Sequence, residues 1–458
     1  MKRLLHIAFC LLLLTHTVSA ATTNTLTWSH SENRVDADIR TWHLQTLLEE
    51  ISAASGWDIM MEPGTSHTVS VKFSNFTIER ALPRLLGKLS YALLPQTNGP
   101  PKFCVYTTSM GKATQLVRHT LKGKDDKSKA ILNELVVTLD PSSSFTIEEL
   151  AKMLGAKIVG RIDGRNTYLL RFDDEADANA AREKLSENPN VANVDNNYTI
   201  DPPPDSLAAS DSSAPPFKLK ATAIGDPNNL IVGLIDSHVQ KLDPNMQQFL
   251  LPPIEVAGKP SADGELSHGT SMAQTLLQGL TAGSENADTS KVKILPVDVY
   301  GTRSSTTTFD VASGIVQAVN KGAMGINLSL GSSGNSHILH NVIQDSSAQG
   351  VVFFAAAGNT PVTTPTYPAA YPEVMAVTAG DRNKNLAPYA NYGSFVEVIG
   401  PGGAMVSYGG QAHYVGGTSV ATAYITGLAL GAADISGKPL GAVQTVIRQN
   451  LGFLPPAR

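Results

Sequence analysis

The sequence predicts an α/β protein in which a domain built on a mainly parallel sheet flanked by helices follows two small α+β domains, the second of them ferredoxin-like. Three observations lead there. Beyond residue 217, continuous apolar runs alternate with helical patterns; between 131 and 200 the order of patterns is β-α-β-β-α-β; between 38 and 108, two helical patterns are interleaved with short extended ones. Apolar runs separated by helices are what a parallel sheet covered on both faces requires. The β-α-β-β-α-β order closes into a split sheet with both helices on one face. A chain of 458 residues has the length for about three domains.

Composition fits folded domains. Hydrophobic residues make up 42% and charged residues 16%, enough apolar surface for sizeable cores, and the net charge of -5 argues for neither a nucleic acid nor an anionic membrane as partner. Lys2 and Arg3 precede the apolar run Leu4 to Leu14, and Val18-Ser19-Ala20 supplies small residues for cleavage, so residues 1–20 read as a secretory signal peptide. No later run reaches the ~18 to 20 apolar residues of a membrane span. The expected destination is therefore export, to the periplasm or the medium. Cys10 leaves with the signal, and Cys104 has no partner within the mature chain.

The first domain, 38–108, carries apolar residues at helical spacing from Trp42 to Ala54 and from Thr77 to Leu89, with extended stretches at Trp57 to Met61, Val69 to Phe73 and Tyr91 to Leu94. Its segments Leu-Leu-Glu-Glu-Ile-Ser-Ala-Ala-Ser-Gly-Trp-Asp-Ile and Thr-Ile-Glu-Arg-Ala-Leu-Pro-Arg-Leu-Leu resemble the short N-terminal domain of secretins and TonB-dependent receptors. That resemblance implies a bacterial envelope setting and a protein partner there. Lys122 to Lys129 reads as a linker. The second domain, 131–200, places strands at Leu135 to Leu139, Lys157 to Ile162, Thr167 to Phe172 and Val191 to Val194, with helices at Thr146 to Leu154 and Ala176 to Leu185. Residues 201–216, rich in Pro, Ser and Asp and without periodicity, read as an exposed linker open to proteolysis.

In the last domain, 217–458, strands are expected at Leu230 to Ile235, Val292 to Val299, Gly325 to Leu330, Val351 to Ala356 and Val374 to Ala379. Helices are expected at His268 to Leu280, Phe309 to Asn320 and His337 to Ala348. Such sheets hold their sites at the carboxyl ends of the strands, and the polar residues fall there. Asp236 ends the first strand, His268 opens a helix, Asn359 follows the strand that ends in three alanines, and Ser419 opens an apolar helix after Gly416-Gly417. A buried helix start carries free N–H groups and partial positive charge, which favours a developing oxyanion near Ser419. Taken singly, each residue has an ordinary structural use as cap or turn. Together, an acid, an imidazole, an amide and a hydroxyl are the set nucleophilic acyl transfer needs.

Ile-Asp-Ser-His-Val, His-Gly-Thr-Ser-Met-Ala, Ala-Ala-Ala-Gly-Asn and Gly-Thr-Ser-Val-Ala-Thr-Ala, in this order, resemble the motifs of the subtilase family of serine endopeptidases over roughly Pro227 to Leu451. The resemblance implies a subtilisin-like domain with Asp236, His268 and Ser419 as catalytic triad and Asn359 in the oxyanion hole. It further implies that Asn327, Leu328, Ser329, Leu330 and Gly331 bind the substrate polypeptide. It makes 131–200 a propeptide, an intramolecular chaperone and inhibitor of an autoprocessed zymogen cut between Asp201 and Pro216. Three positions depart from the family pattern: His238 where a glycine is usual, Ser271 where a histidine is frequent, and Ala423 where a proline closes the serine motif. No acidic cluster has calcium-loop spacing, so neither metal nor other cofactor is expected. The runner-up is a catalytically inactive subtilase-like binding protein of the bacterial envelope.

Overall fold

The computed structural model describes residues 25–29, 34–55, 57–62, 65, 67–94, 101–113, 115–117, 129–143, 145–202, 206–210, 214–223, 229–260, 264–285 and 287–453. The expected signal peptide with Cys10, and the expected first linker apart from Lys129, lie outside them. The chain divides into two units, one reaching Gly123 and the other running from Lys124 to Pro456.

In the first unit, the helix Leu44–Ser55 buries Leu44, Leu47, Leu48 and Ile51, and the helix Ile78–Leu86 buries Ala81, Leu82, Leu85 and Leu86. Both have the spacing that puts one apolar stripe against a core. Trp42, expected in the first helix, instead lies in a ten-residue strand, Arg34–His43, which pairs antiparallel with Thr68–Thr77. Its alternation of buried Val35, Ala37 and Ile39 with polar neighbours is a period-two signal. The strands Thr25–Ser29, Lys102–Tyr106 and Gln115–Val117 complete two sheets, so this unit extends past both expected boundaries. Cys104 is buried and unpaired by any disulfide. Glu62, also buried, accepts hydrogen bonds from the backbone N–H and hydroxyl groups of both Thr107 and Thr108. Those bonds, the Thr108 hydroxyl first, hold its carboxyl down at about 2.

The second unit begins with the predicted β-α-β-β-α-β module. Strands Ala130–Leu139, Lys157–Ile162, Thr167–Arg171 and Val191–Ile200 form an antiparallel sheet, and helices Ile147–Leu154 and Glu175–Ser186 bury their apolar stripes against it. Thr146 and Glu149 close a capping box at the first helix, and Asp174 caps the second.

The remainder is built on seven parallel strands in the order Ile254–Glu255, Val292–Asp298, Leu230–Asp236, Ala323–Leu328, Val352–Ala356, Val374–Gly380 and Val398–Pro401. Helices His268–Gly283 and Thr418–Ser436 share a core on one face. Helices Thr308–Asn320 and His337–Ala348 share the core on the other. Glycines set the distance between the first pair. A Cβ on Gly427 would lie 1.9 Å from the Leu276 carbonyl oxygen, and one on Gly279 would lie 2.1 Å from that of Tyr424. Gly283 and Gly431, one turn further along each helix, meet the partner backbone at 2.3 and 2.6 Å by the same measure. The two helices therefore touch main chain to main chain. The Thr418–Ser436 helix continues through Ala423, which is fully buried, so alanine in place of proline leaves the helix intact.

One expectation needs correction. Within the segment read as a linker without regular structure, Ser206–Ser210 forms a strand antiparallel to Gln411–Gly416, the second arm of a hairpin with Gly403–Tyr408. The Ser-Leu-Ala-Ala-Ser stretch is too short and too weakly apolar for periodicity to reveal it; a waiting strand edge decides its conformation.

Candidate active site

Neighbouring parallel strands bring the candidate residues to one edge. Ile235 pairs with Leu328, so Asp236 and Ser329 follow side by side at the carboxyl ends of the two central strands. Asp236 is 1% exposed, and its Oδ1 accepts hydrogen bonds from Nδ1 of His268 at 2.6 Å and from the Ser237 N–H at 2.7 Å. A donor at Nδ1 fixes the tautomer, turning Nε2 away from the carboxylate. His268 itself is held by the first turn of its helix. Ser267 caps that helix, with Oγ also donating to the His238 carbonyl at 2.8 Å. Gly269 donates to Ser237 Oγ at 2.9 Å, and any Cβ there would stand 2.1 Å from the Ser237 carbonyl oxygen. Only glycine permits that approach.

Ser419 is fully buried and is the second residue of its helix, where backbone N–H groups have no partner within the helix. Its Oγ donates to the Ser329 carbonyl at 3.3 Å, a long and weak bond, while Ser329 Oγ donates to the Ser419 carbonyl at 3.1 Å. Asn359 accepts from both the backbone N–H and the hydroxyl of Thr418, each at 2.8 Å. With Oδ1 so anchored, its –NH₂ is turned away from Thr418. Gly358, at φ +110° and donating to Thr418 Oγ1 at 3.1 Å, makes the turn that delivers Asn359 to this edge.

The segment from Asn327 to Gly331 divides. Asn327, Leu328, Ser329 and Leu330 are buried, and Asn327 spans Ser329 and Thr426, donating to one and accepting from the other. Asn327 and Ser329 hold the serine helix to the sheet, Leu328 and Leu330 enter the core on the other face, and Gly331 is partly exposed. Thr306 and Thr307 form a short strand antiparallel to Ile200 and Thr199. Neither the threonine run nor Thr199-Ile200 gave a sequence signal for this pairing. Asn391 was equally silent; it bonds the Ala357 carbonyl at 2.8 Å and accepts from Thr360 N–H at 2.8 Å, supporting the Gly358 turn.

The departures are accommodated. Ser271 is buried, its hydroxyl bonded to the Ser267 carbonyl at 3.2 Å within its own helix. His238 lines a cleft of 210 Å³ together with Asp236 and His268. Asp298, in register with Asp236 on the next strand, is buried there too, and desolvation pushes its carboxyl above the ordinary range despite N–H bonds from Tyr300 and Gly301. Among the described residues no group of three or more His, Cys, Asp or Glu is arranged to hold a metal ion.

The 131–200 module meets this domain at two helix starts. Asp195 accepts from Ser336 Oγ at 3.0 Å and from the Ile338 N–H at 3.1 Å, at the beginning of His337–Ala348. Asn197 accepts from the Phe309 N–H at 3.1 Å, at the beginning of Thr308–Asn320, and donates to Glu134 at 2.7 Å. A carboxylate at a helix amino terminus satisfies orphan donors and complements the dipole. The Tyr198 ring lies over Gly334, where a Cβ would come within 2.6 Å, and Phe309 lies over Gly160 at a corresponding 2.5 Å.

Comparison with known proteins agrees with this geometry. The profile described as Subtilase family matches residues 227–435, and that of the fervidolysin N-terminal prodomain matches 120–197. Thermitase of Thermoactinomyces vulgaris is 32% identical over 215 residues, which cover 45% of this chain and 75% of thermitase. The chain belongs to the subtilase family. Among other subtilases, Subtilisin BL of Lederbergia lenta is 34% identical over 177 residues, covering 37% of this chain, and an alkaline protease of Alkalihalobacillus alcalophilus is 34% identical over the same length. The match spans 64% of the first and 45% of the second. The fold is shared with solved subtilase structures: fervidolysin of Fervidobacterium pennivorans (TM-score 0.50, 18% identity, 67% of this chain and 55% of that one) and the epidermin leader peptide processing protease of Staphylococcus aureus (TM-score 0.51, 16% identity, 68% and 91%). Among the described residues no helix is long and apolar enough to cross a membrane.

Proposed function

We propose that this subtilase is a serine endopeptidase acting through Asp236, His268 and Ser419, exported as a zymogen whose 131–200 module is its inhibitor and chaperone. The observation that carries the reading is the 2.6 Å bond from His268 Nδ1 to a buried Asp236 on the same sheet edge as Ser419. Serine hydroxyl attacks a peptide carbonyl only with a base to take its proton. His268 Nε2 is that base, and Asp236 orients the ring and stabilises its protonated form. The Ser419 Oγ–C bond forms as the proton passes to His268; the carbonyl electrons collect on an oxyanion bound by the Asn359 –NH₂ and the Ser419 N–H. Collapse breaks the C–N bond, His268 gives its proton to the leaving nitrogen, and water repeats the sequence on the acyl-enzyme.

The reading is tested with a fluorophosphonate probe on linker-cut protein: labelling is expected in the native chain and absent in Ser419→Ala, and a native chain that never labels would leave the inactive binding protein standing. Asn359→Ala should lower turnover by ~10²- to 10³-fold, the general cost of losing one oxyanion donor. Activity should fall on acidification as His268 takes up a proton and ceases to be a base.

The substrate is a polypeptide, and the prodomain-like match over 120–197 supports the zymogen. The cut is proposed between Asp201 and Pro216. The sequence of residues 1–20 supports export, to periplasm or medium. We assign the first unit to contact with an envelope protein, on its resemblance to secretin and TonB-receptor N-terminal domains; loss of localisation or partner capture on deleting 38–108, with peptidase activity unchanged, is the expected result.

A further inference from the structure

The amide assigned to the oxyanion stands on a turn, where backbone is less constrained than in the strands it joins. An asparagine side chain has two rotatable bonds, so the direction of the Asn359 –NH₂ is set only when both ends of the residue are held. Thr418 holds the far end, donating to Oδ1 from its N–H and its hydroxyl. The near end is the main chain from Ala357 to Thr360, and Asn391 holds it. The Asn391 N–H donates to the Gly358 carbonyl at 2.8 Å, its Nδ2 donates to the Ala357 carbonyl at 2.8 Å, and its Oδ1 accepts from the Thr360 N–H at 2.8 Å. Together these bonds bracket Asn359 on both sides along the chain. A Cβ on Gly358 would lie 2.4 Å from Asn391 Nδ2, so the amide packs directly on the glycine whose φ of +110° makes the turn.

Asn391 is itself tied to rigid parts of the domain. Its carbonyl accepts from the Thr378 hydroxyl at 2.6 Å, on the buried strand Val374–Gly380, and Nδ2 also donates to Thr366 Oγ1 at 3.1 Å. The place demands an amide, because one planar group must offer an acceptor to an N–H and donors to a carbonyl and a hydroxyl. A carboxylate would set oxygen against the Ala357 carbonyl. At 3% exposure Asn391 touches no substrate. We propose that Asn391 is a positioning residue of the oxyanion hole: it fixes the main chain around Asn359 while Thr418 fixes the side chain, so that the –NH₂ is aimed before charge develops on the substrate carbonyl. Donors preset in this way stabilise the transition state without reorganising, and a donor free to swing does not. The contribution therefore falls on turnover and not on substrate affinity.

The proposal rests on the peptidase reading above, with Asn359 as oxyanion donor, and the experiment separates the two. Asn391→Ala, Asn359→Ala and the double variant are compared with the native chain. Active sites are counted by fluorophosphonate labelling taken to completion, and kcat and KM are measured per active site on a chromogenic peptide. Asn391→Ala is expected to lower kcat by about 10-fold or more, as misplacing a catalytic group does, and to change KM by less than about twofold. In the Asn359→Ala background the same substitution is expected to change kcat by less than about twofold, since no amide remains to be aimed. A merely structural contact would lower kcat alike in both backgrounds; that result, or no loss in either, overturns the proposal. Should Asn391→Ala fail to accumulate, Thr366→Val, which deletes one bond to Asn391, takes its place. It is expected to lower kcat by about 3-fold beside native Asn359 and not in the Asn359→Ala background, and equal effects in the two overturn the proposal as before. The expected loss in Asn359→Ala without coupling to Asn391 sinks the positioning role alone. An Asn359→Ala protein of native turnover removes the donor and the proposal with it, and a native chain that never labels removes the peptidase reading as well.

Discussion

Two interfaces within the second unit are built on opposite principles. Helices His268–Gly283 and Thr418–Ser436 meet through Gly279, Gly283, Gly427 and Gly431 with no side chain between their backbones. The 131–200 module meets the same domain through Asp195, Asn197 and the Tyr198 N–H, laid on two helix starts beside apolar contacts in which Val136, Ile162, Leu169 and Ile200 share a buried cluster with Phe309. Water can replace the polar contacts of the second interface and cannot replace those of the first. The glycine contact makes the spacing of the helices that carry His268 and Ser419 a property of the main chain. The polar contact suits the proposed zymogen, in which the module first holds the domain and later leaves it, because the N–H groups at Phe309 and Ile338 can then be satisfied by solvent.

That contrast can be broken from either side. Gly427→Leu should have the largest effect: a side chain whose first atom falls 1.9 Å from the Leu276 oxygen forces the helices apart, and loss of about 3 kcal/mol or more, or failure to accumulate, is expected by thermal or urea unfolding. A Gly427→Leu protein of native stability would refute the main-chain contact. Asp195→Ala removes the two hydrogen bonds that one buried carboxylate makes to the domain, and should weaken the hold of the module by about 2–4 kcal/mol, read as faster dissociation from linker-cut protein with the stability of the released domain unchanged. Arg165→Ala deletes an ion pair with Asp345, which is 57% exposed, and should change that dissociation by less than about 1 kcal/mol. If Arg165 matters more than Asp195, the helix starts are not the anchor.

Glu62 offers the same chemistry in the first unit, where nothing is released. Its folded carboxyl sits at about 2 against an ordinary 4.5, so its contribution is complete above about 4.5 and lost as pH falls from there towards 2. Glu62→Gln should flatten the acid limb of that unit's stability in this window and leave the second unit's unfolding unaltered, as two-probe acid titration would show.

The sequence carried the central features because each has a short-range cause. Apolar runs betray buried parallel strands. Asp236, His268, Asn359 and Ser419 stand at element ends that Gly and Ser punctuate, and Gly269 announces a close approach that the Ser237 carbonyl makes real. What escaped has its cause elsewhere in the chain. Thr306–Thr307 and Ser206–Ser210 are strands because an edge lies beside them, not because of their own residues. Arg34–His43 was legible in the alternation of Val35, Ala37 and Ile39, and its polar alternate positions hid it. Of the five residues from Asn327, four turn their side chains inward, since a parallel strand's end is buried on both faces until it leaves the sheet.

Cys104 acquires a use from its isolation. On the proposed removal of residues 1–20, which carry Cys10, it is the one thiol left, 3% exposed and on a strand of the first unit. Its rate of alkylation is therefore a clock for the opening of that unit alone, blind to whatever happens at the linker or the serine, and it runs without any label having to be introduced.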